Sequence, residues 1–283
     1  MRLLSWNIQW CRGVDGKVDP ARIAQTARAL CDPDVLCLQE VAANFPELAG
    51  SSGEDQFAAL AEQFPDFSAT AGWGVDLPDD AGGRRRFGNL ILSRFPIGRV
   101  LRHALPWPPE RGARTMPRIA LEVEVATPGG AVRVMTTHLE YFAAHHRVAQ
   151  VERLRALHAE ACAHADVESP RGELGTPYHP LPRARAAVLT GDFNLPPTDP
   201  LHARLCAPFD DATPCLRDAW QLAHGATPHA PSFRLYDPNY AGTPYCCDFV
   251  FVSDDLAPRF KALRIDTECQ ASDHQPVIAE FSA

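Results

Sequence analysis

The stretch AAVLTGDFNLPP, from Ala186 to Pro197, opens as an apolar strand and stops on an acid and an amide. A continuous apolar run bounded by prolines reads as a strand covered on both faces. Asp192 and Asn194 cost free energy to bury there unless they have partners. Either the run ends in a surface turn, or these two groups line a site at the strand's end. The rest of the chain repeats the pattern. The strand RLLSWNI closes near Asn7, DVLCLQEV (Asp34–Val41) stops at Glu40, and VRVMTTH ends on His138. Asp248 opens DFVFVS, and Asp273 with His274 precedes QPVIAEF. A sheet system that gathers these ends makes a pocket of four carboxylates, two amides and two histidines.

The elements between them are mixed. Asp19 followed by Pro20 marks a helix start, with Ile23, Ala27, Leu30 and Cys31 at helical spacing. Phe57, Leu60, Ala61 and Phe64 mark a second helix. A long helix runs through residues 140–165 with Val148, Val151, Leu154 and Leu157 on its apolar side, and a short one covers Asp218–His224. Strands are expected at Phe87–Ser93, Ile119–Val125, Ala131–Leu139, Cys246–Val252, Phe260–Asp266 and Pro276–Phe281. Pro128-Gly129-Gly130 joins two of them as a hairpin. Residues 168–185, rich in Pro, Gly and Arg, read as a loop. Hairpins among the strands favour a mixed α/β (α+β) sheet system over an alternating parallel one. With no repeat and no linker, the whole chain, 1–283, reads as one domain.

Composition narrows the class. A chain of 283 residues, 46% apolar and 22% charged, is an ordinary globular sequence. Its net charge of -8 argues against charge-driven binding to bulk nucleic acid while allowing a small basic cleft. Nine cysteines without a CxxC pair, several in apolar runs, read as reduced thiols. MRLLSWNIQW has no long apolar core of the signal-peptide kind, and no stretch approaches the ~20 apolar residues a membrane helix needs. A cytoplasmic monomer is expected.

The strand-end residues define a chemistry. Glu40, Asp273 and Asn7 are hard oxygen donors of the kind Mg²⁺ or Mn²⁺ prefers. Clustered carboxylates repel unless a cation lies among them, and a phosphoester reaction uses such a cation as a Lewis acid. Asp192 then suits a general base for water, with Asn194 orienting it. His138 and His274 suit donors to the phosphoryl oxygens, and Asp248 a partner that holds the His274 ring. Arg84, Arg85 and Arg86 read better as a solvated basic loop than as a polyanion contact. Of Trp10, Trp73, Trp107, Tyr141 and Phe142, one or two at most are expected to meet substrate, the others being partial core. His145, His146 and His158 read as surface histidines on the long helix.

SWNIQ, LCLQEV, TTHLE, GDFN, DFVFVS and SDHQPV, in that order, resemble the signature blocks of the endonuclease/exonuclease/phosphatase superfamily, DNase I-like proteins, over essentially the whole chain. The resemblance implies a four-layered sandwich of two mixed sheets flanked by helices, and Mg²⁺- or Mn²⁺-dependent hydrolysis of phosphoesters. It assigns Glu40, Asn7 and Asp273 to the metal side and Asp192 and Asn194 to water activation. His138 and His274 stabilise the transition state in that scheme, and Asp248 orients His274. FGNLILSRFPI resembles the family's strand near the site, which makes Asn89 a candidate contact along with Arg118 and Arg86. TTHLE resembles the branch with His at this position and, with HHRVAQVERLRAL behind it, the tyrosyl-DNA phosphodiesterase side of that branch. CCDFVF departs from the common Arg-Ile-Asp-Tyr pattern and lacks its Arg. The leading expectation is a phosphodiesterase or phosphatase for a modest-sized phosphoester. A DNA or RNA nuclease is the runner-up, and a catalytically silent binding module carries low weight. Substrate choice is expected in residues 72–86, 106–117 and 169–185.

Overall fold

Leu3 and Leu4 are adjacent, both fully buried, and face different cores. Leu3 packs with Val35, Cys37 and Ile91 against Leu121, Val134 and Val250. Leu4 packs with Trp6, Leu36 and Leu38 against Ile23, Ala27, Phe57 and Leu60. Successive side chains in a strand point to opposite faces, so unbroken apolar runs require cover on both sides. That requirement builds the layers.

The computed structural model describes residues 1–79, 82–167, 173–179, 183–237 and 242–282. In chain order the strands are β1 (Arg2–Asn7), β2 (Val35–Ala43), β3 (Ser68–Pro78), β4 (Arg84–Ser93), β5 (Ile97–Ala104), β6 (Ile119–Thr127), β7 (Gly130–His138), β8 (Ala187–Asp192), β9 (Leu216–Asp218), β10 (Asp248–Ser253), β11 (Phe260–Ile265) and β12 (Val277–Phe281). The helices are α1 (Pro20–Cys31), α2 (Gln56–Gln63), α3 (Ala144–Asp166), α4 (Pro200–Cys206) and α5 (Ala219–His224). One six-stranded sheet has the order β11-β12-β1-β2-β4-β3, and the other β5-β6-β7-β8-β10-β9. The central core lies between them. Helices α1 and α2 cover the outer face of the first sheet. Val151, Leu154 and Leu157 of α3 and Leu205 of α4 cover Met135, Leu189, Phe249 and Phe251 of the second. The four-layered sandwich is the expected architecture, and no helix among the described residues is long and apolar enough to cross a membrane.

Strand direction explains where the polar ends meet. β1 and β2 are parallel, as are β7 and β8, so their C-terminal ends share an edge. β12 runs antiparallel to β1 and β10 antiparallel to β8, so each offers its N-terminal end to that edge. The register places His138 opposite Asp192, and Asp192 opposite Asp248.

Several expectations are corrected. Glu40 does not end its strand. β2 continues to Ala43 through a bulge after Leu38, with Glu40 at φ +58°. Of the expected 72–86 loop, residues 72–78 and 84–86 belong to the β3–β4 hairpin, because Val75, Asp76 and Leu77 pair with Phe87, Arg86 and Arg85, while residues 80 and 81 lie outside the described residues. Strands β3, β5 and β9 and helix α4 carry too few apolar residues, or are too short, to stand out in the sequence. The long helix starts at Ala144, and its Val148 is exposed. His145 is exposed, but His146 and His158 are buried, His158 between Arg133 and the Pro214 carbonyl. Parts of the expected 168–185 loop lie outside the described residues.

Gly191 precedes Asp192 at φ +139°, and a Cβ there would stand 1.9 Å from the Thr137 carbonyl oxygen of the parallel neighbour. Gly191→Ala is therefore expected to destabilise the protein by about 3 kcal/mol or more. The shift of the urea unfolding midpoint measures it.

Candidate active site

The bulge in β2 turns Glu40 out of the pleat and toward the end of β1. There the Asn7 Nδ2 donates to Glu40 Oε1 at 3.1 Å and to Asp192 Oδ2 at 3.0 Å. Asn7 Oδ1 accepts the Gln9 backbone N–H at 3.1 Å, which fixes the orientation of the amide. Asn7 thus presents N–H, not the expected oxygen, to the two carboxylates. The chain leaves β1 through Gln9, Trp10 and Cys11, all at positive φ. That turn lets the Gln9 side chain donate to Asp273 Oδ2 at 2.7 Å.

Asp192 is buried at the end of β8. Its Oδ1 accepts the Asn194 N–H at 2.9 Å, and Asn194, at φ +52°, anchors its own amide to the Leu139 carbonyl. His138 Nε2 lies 3.4 Å and His274 Nε2 3.7 Å from Asp192 Oδ2. Behind His274, Nδ1 stands 2.8 Å from Asp248 Oδ2, which also accepts the Ser232 hydroxyl at 2.6 Å. The Phe233 ring stacks on the imidazole at 4.4 Å. Ser232 and Phe233 escape a sequence reading, because their segment, PSFRLYD, has neither apolar periodicity nor a motif.

Burial governs the charges. It pushes Asp192 up to about 6, despite the opposing field of His274. It pushes Asp273 up to about 7, helped by the charge of Glu40, and it raises Glu40 as well. The histidines separate. Burial, Arg118 and His274 drive His138 well below its ordinary value. Burial opposes a charge on His274 too, but Asp248 and Asp192 lift it well above. The site therefore holds one neutral and one cationic imidazole near neutral pH.

Asp192, Cys247, Asp248 and His274 offer ligand atoms within 4.8 Å of one another. Burial holds the Cys247 thiol well above its ordinary range, and Asp248 already binds the His274 ring. That group is a hydrogen-bonded relay, not a thiolate metal site.

A cavity of about 450 Å³ opens over Glu40, His138, Asp192, Asn194, Asp273 and His274. Its outer walls are Trp10, Phe87, Met116, Tyr141, Phe142 and Phe233, with Arg114 and Arg118 between them. Three of the five weighed aromatics, Trp10, Tyr141 and Phe142, line it, while Trp73 packs under Arg86 and Trp107 is exposed. Arg118 is buried beside Glu140 at 3.5 Å. The structure does not bring Arg86 here. Its guanidinium lies 4.1 Å over Trp73 and pairs with Asp76. Asn89 lines a smaller recess beside His138 and bonds the Ile119 carbonyl across the sandwich at 3.2 Å.

Residues 4–274 match the model of the Endonuclease/Exonuclease/phosphatase family. The chain belongs to that family. A solved structure of a family protein from Beutenbergia cavernae is 27% identical, with a TM-score of 0.67, covering 100% of this chain and 72% of the other. A Bacteroides thetaiotaomicron mannosyl-6-phosphatase is 19% identical, with a TM-score of 0.64, covering 100% of each chain. A humanised D. rerio TDP2 is 17% identical, with a TM-score of 0.63, covering 100% of this chain and 99% of that one. No curated protein sequence matches the chain. Family membership makes the protein a hydrolase of the phosphoesterase and nuclease class.

The raised Asp273 carboxyl has a thermodynamic sign. It is protonated in the folded state before the unfolded one, so its contribution favours folding at acid pH and is lost as pH rises from about 4 through about 7. In the absence of divalent cations, Asp273→Asn is expected to be more stable than the wild type at pH 8, by up to about 4 kcal/mol, with the difference closing toward pH 4. Thermal unfolding in EDTA across that range tests it.

Proposed function

We propose that the protein is a Mg²⁺- or Mn²⁺-dependent phosphodiesterase or phosphatase acting on a compact phosphoester with an aromatic or apolar leaving group. The observation that carries this reading is Asp192 Oδ2 within 3.4 and 3.7 Å of two imidazoles, on the floor of an aromatic-walled cavity. The residues present fit a hard divalent cation. Burial raises both Glu40 and Asp273, with the charge of Asp192 adding to the rise of Glu40 and that of Glu40 to the rise of Asp273. A cation held by the two carboxyls would offset that repulsion. Glu40 and Asp273 would hold it, with Asn7 and Gln9 fixing their orientation through N–H donors. When bound, the metal supplies Lewis-acid stabilisation of the phosphoryl oxygens.

The side chains account for the remaining chemistry. Asp192 accepts the proton of the attacking water, and a carboxyl near 6 is ionised yet basic enough at neutral pH. Asn194, through its N–H on Asp192 Oδ1, holds the carboxylate in one rotamer. His274, cationic and oriented by Asp248, donates to a phosphoryl oxygen as negative charge grows. His138, neutral, donates from the other side. Arg118 adds positive charge above the site, and the Phe142–Arg114 stack, 4.7 Å from guanidinium to ring, borders the leaving-group end. A net charge of -8 and a small cavity favour a compact substrate over a long polynucleotide. Nine free cysteines support a reducing, cytoplasmic setting, and the monomer expectation stands as part of the proposal.

The test is a panel of phosphotyrosyl-terminated oligonucleotide, single- and double-stranded DNA, RNA, a lipid phosphodiester, inositol phosphates and sugar phosphates, with Mg²⁺, Mn²⁺ or EDTA. Turnover of one compact class is expected, lost in EDTA, with kcat/KM falling below about pH 6. Asp192→Asn is expected to lower kcat by about 1,000-fold or more while leaving the fold intact. Turnover retained in that variant would overturn the mechanism. Salt-sensitive cleavage of long polynucleotides alone would replace the reading with a nuclease.

A further inference from the structure

His146 is fully buried in the first turn of α3, and neither of its ring nitrogens has a hydrogen-bond partner. Buried polar groups are paired in the great majority of cases, and an imidazole with both nitrogens unpaired calls for a ligand. Its neighbours supply the setting. The His145 ring meets it at 4.4 Å, nearly perpendicular at 85°. Glu110, in the segment between β5 and β6, points a carboxylate oxygen at His145 Nδ1 across 3.5 Å. The other oxygen, Oε1, accepts the backbone N–H groups of Arg111 at 2.7 Å and Gly112 at 2.6 Å, so the carboxylate is held in place.

One ligand atom from each of Glu110, His145 and His146 lies within 4.8 Å of the others. A point then exists no more than roughly 2.8 Å from all three, against zinc bonds of ~2.0–2.2 Å to nitrogen and oxygen. Small side-chain rotations close that gap. Two imidazoles and one carboxylate are the donor set of a borderline transition ion, and differ from the oxygen-only set of Glu40 and Asp273. We propose that Glu110, His145 and His146 bind a Zn²⁺-class ion, with water completing the tetrahedron, and that this ion fastens the 105–118 segment to the start of α3.

The consequence reaches the cavity. The fastened segment carries Arg114, Met116 and Arg118, and the α3 side is entered through Tyr141 and Phe142, all of them wall residues. A second tether, Gln150 Nε2 to the Pro106 carbonyl at 3.2 Å, joins the same two elements. The ion would therefore order one wall of the cavity without touching the reacting atoms. This inference does not depend on the phosphoester reading.

Cobalt(II) is the probe, added to the full-length protein in a large excess of Mg²⁺ that occupies the oxygen-donor centre. The expected result is one tightly held Co²⁺ per chain with the visible absorption of nitrogen-ligated, four-coordinate cobalt. Zn²⁺ should displace it and raise Tm by about 4–8 °C when present at a hundredfold excess over its Kd. Glu40→Gln should keep the spectrum. Glu110→Gln, which retains an acceptor for the two backbone N–H groups, should lose it, as should His146→Gln. If His146→Gln fails to fold, Glu110→Gln alone decides. An unchanged spectrum in Glu110→Gln, or no cobalt beyond the Mg²⁺-competed centre, would overturn the proposal.

Discussion

A single oxygen, Oδ2 of Asp192, is the point on which the two sheets close. Asn7 reaches it from the first sheet at 3.0 Å, and His138 and His274 approach it to 3.4 Å and 3.7 Å. A buried carboxylate without donors would be among the costliest features a core could contain. Its three nitrogen neighbours make it tolerable, and each comes from a different strand end. The sandwich must therefore align β1, β7, β8 and the lead into β12 at one edge, or leave that charge unpartnered.

The same constraint sets the electrostatics. Bringing Glu40 and Asp273 to that edge places like charges in low dielectric, which raises both carboxyls. Asp248 lies on the far side of the His274 ring, bound to its Nδ1 at 2.8 Å. The resulting difference between a neutral His138 and a cationic His274 follows from position alone: only His274 has a carboxylate at hydrogen-bond distance on its far nitrogen. Stability and reactivity are in tension here, and a divalent cation of the kind the donor set suits would relieve it.

Around this rigid floor, the walls come from connecting segments. Trp10 sits within a turn at positive φ, Arg114 and Met116 lie between β5 and β6, and Tyr141 and Phe142 precede α3. Loops carry few of the packing demands that fix the strands, so substrate selection can vary there without disturbing the carboxylates. Arg86 illustrates the converse. Paired in the β3–β4 hairpin and stacked on Trp73, it serves that hairpin rather than the cavity.

The strand-end residues were legible because a polar side chain at the end of an apolar run breaks the hydrophobic pattern at a fixed place. The ordered blocks from SWNIQ to SDHQPV carried the family and the sandwich with them. What was not legible depended on backbone geometry and on contacts between distant segments. The β2 bulge gives no signal in LCLQEV, yet it decides that Glu40 faces Asn7. The Gln9 bond to Asp273 spans 264 positions, and the approach of Glu110 to His145 and His146 joins groups more than thirty residues apart. Sequence by itself determined which groups end at the sheet edge, since period and polarity are local. Only the tertiary structure decided how those groups face one another, because burial, charge and hydrogen bonding depend on neighbours the chain meets only when folded.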